Sequence, residues 1–271
     1  MAAGAIRLGI GGWTYEPWRG AFYPADLPQK RELAYAAERL TAIEINATFY
    51  GAQKPESFRK WAAETPENFV FAVKGPRFAT QRRVLAEGAE SVARFLDGGV
   101  TQLGPKLGPI VWQFPATKRF DAADIESFLK LLPPERGGLR LRHAIEARHE
   151  SFADPAFVDL LRKAEAEVTQ VVLDDPDHPM IADVTADFVY LRLERAQETV
   201  ESGYPAEDLD GWASRLRTYA GGGQPGDLPA LTGATPKKQP RDVFAFFISG
   251  AKVRNPAAAM AMIDRLGAGA D

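Results

Sequence analysis

Residues 188–195 read FVYLRLER, a run in which apolar and polar side chains alternate before a loop begins. Such alternation is typical of a β-strand, whose side chains point to opposite faces in turn. Seven more apolar runs recur along the chain, and nearly all end in a polar or charged residue: IRLGIGGW (6–13), AIEINATFY (42–50), FVFAVKG (69–75), PIVWQFP (109–115), HAIEARH (143–149), VTQVVLDD (168–175) and VFAFFIS (243–249). The sequence therefore predicts eight strands.

Stretches with helical spacing separate most of these runs. They cover residues 32–40, 55–61, 84–96, 121–132, 154–166, 208–220 and 255–266, whereas residues 174–187 leave room for only a short helix. Strands alternating with helices predict an α/β protein with a TIM-like (β/α)8 barrel, whose functional groups lie at the carboxyl ends of the strands. We expect a single domain over residues 1–271.

A Gly/Pro-rich stretch at about residues 220–241 predicts a long, mobile loop. It joins a helix to the next strand, so we expect it on the barrel face opposite the site. An insertion without a functional role is the favoured interpretation, and a lid is the alternative.

Composition limits the possible partners. With 33 basic and 36 acidic residues, the net charge of −3 argues against a broad surface for nucleic acid or anionic membrane, so nucleic acid is possible but not favoured. The chain has no cysteine, and no run approaches the roughly 20 apolar residues of a membrane span. We expect a cytoplasmic protein without membrane contact. The sequence carries no signal for an oligomeric state.

Strand parity separates the side chains that face the helices from those that face the barrel interior. Ile43 and Ile45 oppose Glu44 and a polar series that includes Asn46, Thr48 and Tyr50 if the strand extends that far. In 188–195 the polar face carries Tyr190, Arg192 and Glu194, and elsewhere it carries Lys74, Glu146 and Arg148. Buried charges must pair or bind a ligand, so a purely structural ion network is the alternative to a binding site. An antiparallel sheet with one solvated face is a second alternative.

Four motifs add a family resemblance. They read GGWTYEPWRGAFYPADLPQKREL (11–33), EINATFYGAQKPESFRKWAAETPENFVFAVKGPRFAT (44–80), GPIVWQFP (108–115) and EARHESF (146–152). In order and spacing these closely resemble the YecE-like proteins, the domain of unknown function 72 family, over roughly residues 6–220. The resemblance implies a TIM-barrel-like fold related to the xylose isomerase and endonuclease IV group, and it implies no established activity.

The family's motif positions include the following residues of this chain: Trp13, Tyr15, Glu44, Asn46, Tyr50, Lys74, Arg77, Gln113, Glu146, Arg148 and His149. The later part departs from the family pattern. RLERA (192–196) keeps Arg192 but lacks the histidine expected two residues later, and FFISG (246–250) lacks the expected amide side chains.

These residues suggest roles at the barrel mouth. Glu44 and Glu146 are candidates for general acid and base, because two carboxylates can have pKa values that their surroundings move apart. Lys74, Arg77, Arg148 and Arg192 suit phosphate, sulfate or carboxylate recognition. Trp13 and Tyr15 are interpreted as a stacking wall. The remaining candidate ligand contacts are Asn46, Tyr50, Gln113, His149 and Asp174.

The sequence favours an enzyme that acts on a phosphorylated or other anionic small molecule. The alternative is a ligand-sensing or nucleic-acid-binding barrel without chemistry. We expect no cofactor and no metal, although Glu44, Glu146, Asp174, Glu194 and His149 could offer ligands. Ser151 and Ser249 are interpreted as ordinary loop or capping residues, since no triad is evident.

Overall fold

The computed structural model describes residues 3–233 and 237–267 and contains a closed barrel of eight parallel strands. Each strand pairs with the next along the chain, and the last pairs with the first. The strands are β1 (Ile6–Gly11), β2 (Ala42–Ile45), β3 (Val70–Lys74), β4 (Leu107–Gln113), β5 (Arg142–Glu146), β6 (Glu167–Asp174), β7 (Phe188–Leu193) and β8 (Asp242–Phe247). The predicted TIM-like barrel is confirmed, and the antiparallel alternative is wrong.

Helices surround the barrel in the described residues. They are α1 (Glu32–Ala37), α2 (Ala47–Tyr50), α3 (Pro55–Ala63), α4 (Arg77–Thr80), α5 (Ala89–Asp97), α6 (Ala122–Leu129), α7 (Pro155–Lys163), α8 (Ala206–Ala220) and α9 (Asn255–Gly267). Local signals set several starts: Pro55 and Pro155 occupy the first turns of their helices, and the Asp121 carboxylate accepts from Asp124 N at 3.0 Å. The helix predicted at 84–96 begins only at Ala89, because residues 85–88 form a 3-10 turn.

The connection from β6 to β7 contains no α-helix in the described residues. Ile181 and Val184 instead pack on the outer side of the barrel as irregular chain. Leu228 and Leu231 of the Gly/Pro-rich loop pack against the same core. The described parts of this loop thus help to cover the barrel where a crossover helix would otherwise lie.

The Gly/Pro-rich loop is tied to that irregular segment by a buried carboxylate. Asp183 accepts hydrogen bonds from Leu231 N (2.7 Å) and Thr232 N (2.9 Å). These hydrogen bonds fix the backbone donors of residues 231 and 232, and the mobility of the loop stays a prediction. Residues 234–236 of the loop lie outside the described residues.

Two apolar clusters lie on the two sides of the barrel wall. The outer one joins strands to helices and contains Val189, Leu191 and Leu193. The inner one fills the lower barrel and contains Ala42, Ala72, Val111, Ala144, Val171, Phe188, Tyr190, Phe244 and Phe246. The predicted parity is confirmed on β2, β3, β5 and β7. On each of these strands a residue of the inner cluster lies two positions before the polar residue, so both side chains point to the same side; the polar residues are Glu44, Lys74, Glu146 and Arg192.

No helix in the described residues combines the length and apolar character that a bilayer crossing requires.

Candidate functional site

Arg192 of β7 lies at the centre of a buried ion network above the inner apolar cluster. Its Nε donates to Glu44 Oε2 at 3.1 Å, and its Nη1 lies 2.5 Å from Glu146 Oε2. All three side chains are almost completely shielded from solvent. The barrel brings them together because β2, β5 and β7 direct the same parity inward at similar height.

Neutral donors add hydrogen bonds to both carboxylates, although Glu146 Oε2 has an ion-pair contact and no hydrogen bond among the described residues. The Tyr190 hydroxyl donates to Glu44 Oε2 at 2.5 Å, and Gln113 Nε2 donates to Glu146 Oε1 at 2.7 Å. Arg148 Nε contacts the same Glu146 oxygen at 2.5 Å. Burial alone would raise the pKa of Glu146, but the neighbouring cations, Arg192 foremost, hold it below its ordinary value. This lowered pKa favours the ionised form of Glu146 at neutral pH.

Lys74, at the end of β3, differs from these paired cations. Its ammonium group makes no hydrogen bond and no ion pair with the described residues, and Nζ lies 4.2 Å from the centre of the Phe49 ring. The side chain is 8% exposed. Burial, followed by repulsion from Arg192, lowers the pKa of Lys74 to about 8.

A cleft of about 580 Å³ opens above this network at the carboxyl ends of the strands. Four cationic side chains line it: Lys74, Arg148, Arg192 and Lys252. Polar groups of Asn46, Gln113, Ser249 and Asn255 line it as well, and Trp13 and Phe49 contribute aromatic surface. Among the described residues, no carboxylate side chain lines the cleft. Its chemistry suits an anion.

Sequence reasoning missed the cleft residues that follow β8. Ser249 has a φ of 59°, which is rare for a residue other than glycine, and Gly250 follows at 52°. This tight turn leads to Lys252, whose Nζ lies 4.3 Å from the Tyr15 ring centre, and to Asn255, whose Nδ2 donates to Ser249 O at 3.2 Å. Their position in the sequence could have identified them, because the loops that follow the strands of such barrels carry the functional residues. Ser249, interpreted as an ordinary loop residue, lines the cleft.

Most of the predicted ligand contacts meet in the cleft. Its lining includes Trp13, Asn46, Tyr50, Lys74, Gln113, Arg148 and Arg192. The two predicted catalytic carboxylates, Glu44 and Glu146, lie beneath the floor, 0% exposed. Tyr15, Arg77, His149 and Asp174 do not line the cleft.

Asp174, a candidate ligand contact at the barrel mouth, instead faces the outer side of the barrel. On β6, Val171 belongs to the inner cluster and Val172 to the outer one, so Asp174 shares the outer face. Its Oδ1 accepts from Arg195 Nε at 2.7 Å. Burial raises the pKa of Asp174, although Arg195 opposes that rise.

Local structure explains the positions of the other candidates that lie outside the cleft or at its edge. Tyr50 lines only the rim and is 67% exposed, because helix α2 begins directly after Asn46 and ends the extended parity. Tyr15 packs edge-on against Trp18 at 5.3 Å. Arg77 lies at the surface over the Phe78 ring. His149 Nδ1 accepts from Ser151 N at 3.0 Å and caps a 3-10 turn, so its ring completes local backbone structure.

Glu194, one residue past β7, is a third buried carboxylate near the network. Its Oε1 lies 3.9 Å from Arg192 Nη1 and has no hydrogen-bond donor among the described residues. Burial raises the pKa of Glu194 to about 7, against the opposing effect of Arg192. Glu194 is therefore the carboxylate here whose protonation changes near neutral pH.

Within the described ranges, no three carboxylates or histidines are grouped so that they could bind one metal ion. The carboxylates that sequence reasoning considered as ligands are mostly engaged by guanidinium groups: Glu44 and Glu146 by Arg192, and Asp174 by Arg195.

Comparison with known proteins identifies relatives of the chain. Residues 7–271 match the family described as "Protein of unknown function DUF72". UPF0759 protein YunF of Bacillus subtilis (strain 168) is 27% identical over 180 residues, covering 63% of this chain and 61% of that protein. UPF0759 protein YecE of Escherichia coli O157:H7 is 27% identical over 175 residues, covering 62% and 59%. The chain thus spans about three fifths of the length of these curated relatives.

A solved structure shares the fold over its full length. The crystal structure of a DUF72 family protein from Thermotoga maritima MSB8 aligns with a TM-score of 0.71 at 20% sequence identity, covering 97% of this chain and 99% of that one. At this identity the likeness concerns the fold alone.

Proposed function

The chain belongs to the DUF72 family of proteins of unknown function, and from that premise we propose that it is an enzyme acting on a phosphorylated or other anionic small molecule. The substrate would bind at the carboxyl-terminal mouth of the barrel. We also propose a cytoplasmic location and no resident cofactor.

The charge of the cleft carries this proposal. Lys74, Arg148, Arg192 and Lys252 line it, and no carboxylate side chain of the described residues does so. The buried network offsets only part of this charge, since Glu44 and Glu146 together balance two of the four cations. An anionic ligand would supply the missing negative charge, and guanidinium groups suit phosphate and carboxylate oxygens.

The buried carboxylates support this site by holding the cations in place. Glu44 and Glu146 fix the Arg192 guanidinium through two ion pairs, so the positive charge of Arg192 is held in place beside the cleft. This arrangement argues against our sequence-based assignment of these two glutamates to proton transfer, because a carboxylate already paired with guanidinium is a weak base. We propose instead that they are positioning residues. Trp13 would provide one wall for the ligand.

Thermal unfolding in the presence of anions tests the proposal. Inorganic phosphate, sulfate and glucose 6-phosphate should each be compared with chloride at equal ionic strength. A ligand at about 100 times its Kd adds about 2.7 kcal/mol to the stability of a protein that binds it only when folded. We expect stabilisation by at least one phosphate compound, and we expect Arg148→Ala to remove most of it.

The matched control is Arg94→Ala, which removes a surface guanidinium whose one ion pair among the described residues is with Glu90 on its own helix. This variant should keep the full ligand effect. Stabilisation that is equal in both variants would show nonspecific anion binding, and no stabilisation of the parent protein by any of the anions would contradict the proposal.

A binding protein without chemistry is the second candidate. One observation favours it: the two carboxylates nearest the cleft floor are fully paired, so neither is available as a base. Long incubation of a stabilising phosphate compound, followed by NMR of the small molecule, separates the two functions. New resonances that disappear in Lys74→Arg would support the enzyme, and an unchanged spectrum would support the sensor. Gel retardation at low salt would reveal binding to single-stranded nucleic acid.

A further inference from the structure

Lys74 is the buried amine of the cleft, and its position differs from that of the neighbouring cations. Arg192 and Arg148 are each paired with a buried glutamate. The Lys74 ammonium has no acceptor among the described residues and faces the cleft beside the Phe49 ring. A lysine whose only purpose was to neutralise a carboxylate would contact one.

The surroundings of Lys74 favour its neutral amine. Arg192 and Arg148 repel its proton, while Glu44 and Glu146, which attract it, are already paired with those guanidinium groups. Burial acts in the same direction as the repulsion and is the largest cause of the lowered pKa. A lysine that is desolvated or next to another cation is an activated nucleophile.

We propose that Lys74 forms an imine with the carbonyl carbon of an anionic aldehyde or ketone whose acidic group is held by Arg148 and Arg192. This inference rests on the proposed function, since it assumes that the cleft binds an anion. The nitrogen lone pair attacks the carbonyl carbon, and one proton passes from nitrogen to oxygen, which gives a carbinolamine. Loss of water then leaves a C=N bond between substrate and lysine.

The cleft supplies what this chemistry needs. Its cations place an acid group close to the amine, and proximity raises the effective concentration of the carbonyl carbon. The resulting iminium would draw electrons from the adjacent carbon, so the reaction class is bond making or breaking next to a carbonyl group. Lys252, the other cleft lysine, is more exposed and lies over Tyr15, so it is the weaker candidate.

Reductive trapping tests the proposal with glyoxylate as the probe, because it is a small aldehyde with a carboxylate. The protein is incubated with glyoxylate and sodium cyanoborohydride, digested, and the modified lysines are located by mass spectrometry. We expect the peptide that contains Lys74 to be modified at least about tenfold faster than other lysine peptides, because activation and proximity act together there. Propionaldehyde, which lacks the acid group, should show a smaller preference, because only the activation of the amine then remains.

The pH profile gives a readout that mere accessibility would not change. The trapping rate at Lys74 should rise with a midpoint at about pH 8, whereas surface lysines should continue to rise toward their ordinary value of 10.5. Lys74→Arg should remove the fast phase, and the control Lys130→Arg, which alters an exposed lysine of the α6 carboxyl end, should retain it.

The outcomes separate this inference from the function on which it rests. Equal modification of Lys74 and surface lysines, or a fast phase that persists in Lys74→Arg, would overturn the imine. If phosphate still stabilises the protein in that case, the anion site stands and only the inference fails. If phosphate has no effect and trapping is nonselective, both fail. The location of the adduct in the parent protein decides the question even if the variant folds poorly.

Discussion

At the scale of single residues, the site depends on Arg192. One guanidinium contacts two glutamates from different strands, and a tyrosine hydroxyl completes the pairing of Glu44. Burying such charges costs several kcal/mol per ion, and the cost is offset only if every partner is present. The stability of the protein should therefore fall when a substitution removes one charge of the network, even if the side-chain volume stays the same.

Glu44→Gln removes a charge from the network at nearly constant volume. We expect a loss of about 3 kcal/mol in the free energy of unfolding, because breaking a buried ion pair leaves charge uncompensated. Urea denaturation measures this loss. Glu56→Gln is the control, since Glu56 is paired with Arg59 at the surface and should cost less than about 1 kcal/mol. Equal losses in the two variants would contradict the central place of Arg192.

The raised pKa of Glu194 predicts that the stability contribution of this residue falls as the pH rises. Its pKa is about 7 in the folded protein against an ordinary value of 4.5, so the folded state holds the proton more tightly. This contribution is fully present below about pH 4.5 and is lost as the pH rises through about 7. The pKa difference corresponds to about 3 kcal/mol.

Glu194→Gln should remove that dependence, because the amide does not ionise. We expect the variant to match the parent at about pH 5 and to be more stable above about pH 7, as measured by urea denaturation across the range. Glu198→Gln, a change at an exposed position nearby, should follow the parent profile. A variant that is less stable than the parent under mildly alkaline conditions would show that the ionised Glu194 is stabilising.

At the scale of elements, the turn after β8 gives the site its unexpected members. FFISG lacks the amide side chains that the family resemblance implies at the strand end, and the structure brings Asn255 from the start of α9 into the cleft instead. The turn requires left-handed backbone at Ser249 and Gly250. A Cβ at Gly250 would also lie only 2.8 Å from Glu194 O, so both conformation and space favour glycine.

Gly250→Ala tests the role of this turn. We expect a loss of about 2 kcal/mol or more in stability, because a left-handed alanine costs about 1–2 kcal/mol and the contact adds to it. Gly137→Ala is a matched control, since Gly137 has a φ of 60° and no atom of the described residues lies within 4 Å of the place that a Cβ would take. The difference between the two variants in the free energy of unfolding, measured by urea denaturation, gives the part of the loss that comes from the steric contact. Anion binding should weaken only in Gly250→Ala, because only that turn carries Lys252.

At the scale of the whole molecule, the cleft and the Gly/Pro-rich loop lie apart. None of the described residues of the loop lines the cleft, and the loop instead covers the barrel wall near β6, where the crossover lacks a helix in the described residues. Asp183 holds this cover in place through the backbone of residues 231 and 232. The loop is therefore a stabilising element, and we expect its loss to leave ligand binding intact.

Asp183→Ala should show that separation. The change leaves two partly buried backbone donors without their acceptor, and an unsatisfied donor costs about 1–3 kcal/mol when it is fully buried, so we expect a loss of about 2 kcal/mol and faster proteolysis within the loop. Phosphate stabilisation should keep its parent size. Asp227→Ala, in the same loop but paired with Arg215 at the surface, should change stability by less than about 1 kcal/mol. Weakened phosphate binding in Asp183→Ala would indicate that the loop and the cleft are coupled.

The sequence predicted those features of the protein that depend on the local pattern of apolar and polar residues. The inward parity of Glu44, Lys74, Glu146 and Arg192 follows from a repeat of two residues, which is a property of neighbouring side chains. The eight strands and their order follow from the alternation of apolar runs with helical stretches. The barrel pattern also predicts that a functional site lies at the carboxyl-terminal mouth.

Contacts between distant residues required the closed barrel. The pairing of Arg192 with Glu44 joins positions 148 residues apart, and it depends on the height at which each strand ends. Packing likewise decides three other features. Asp174 faces outward, helix α2 ends the strand alternation before Tyr50, and Lys252 lies at the cleft. Alternation along a strand carries no information on which polar groups meet across the interior, because that choice is made by strand register, turn geometry and the volume left by the inner apolar cluster.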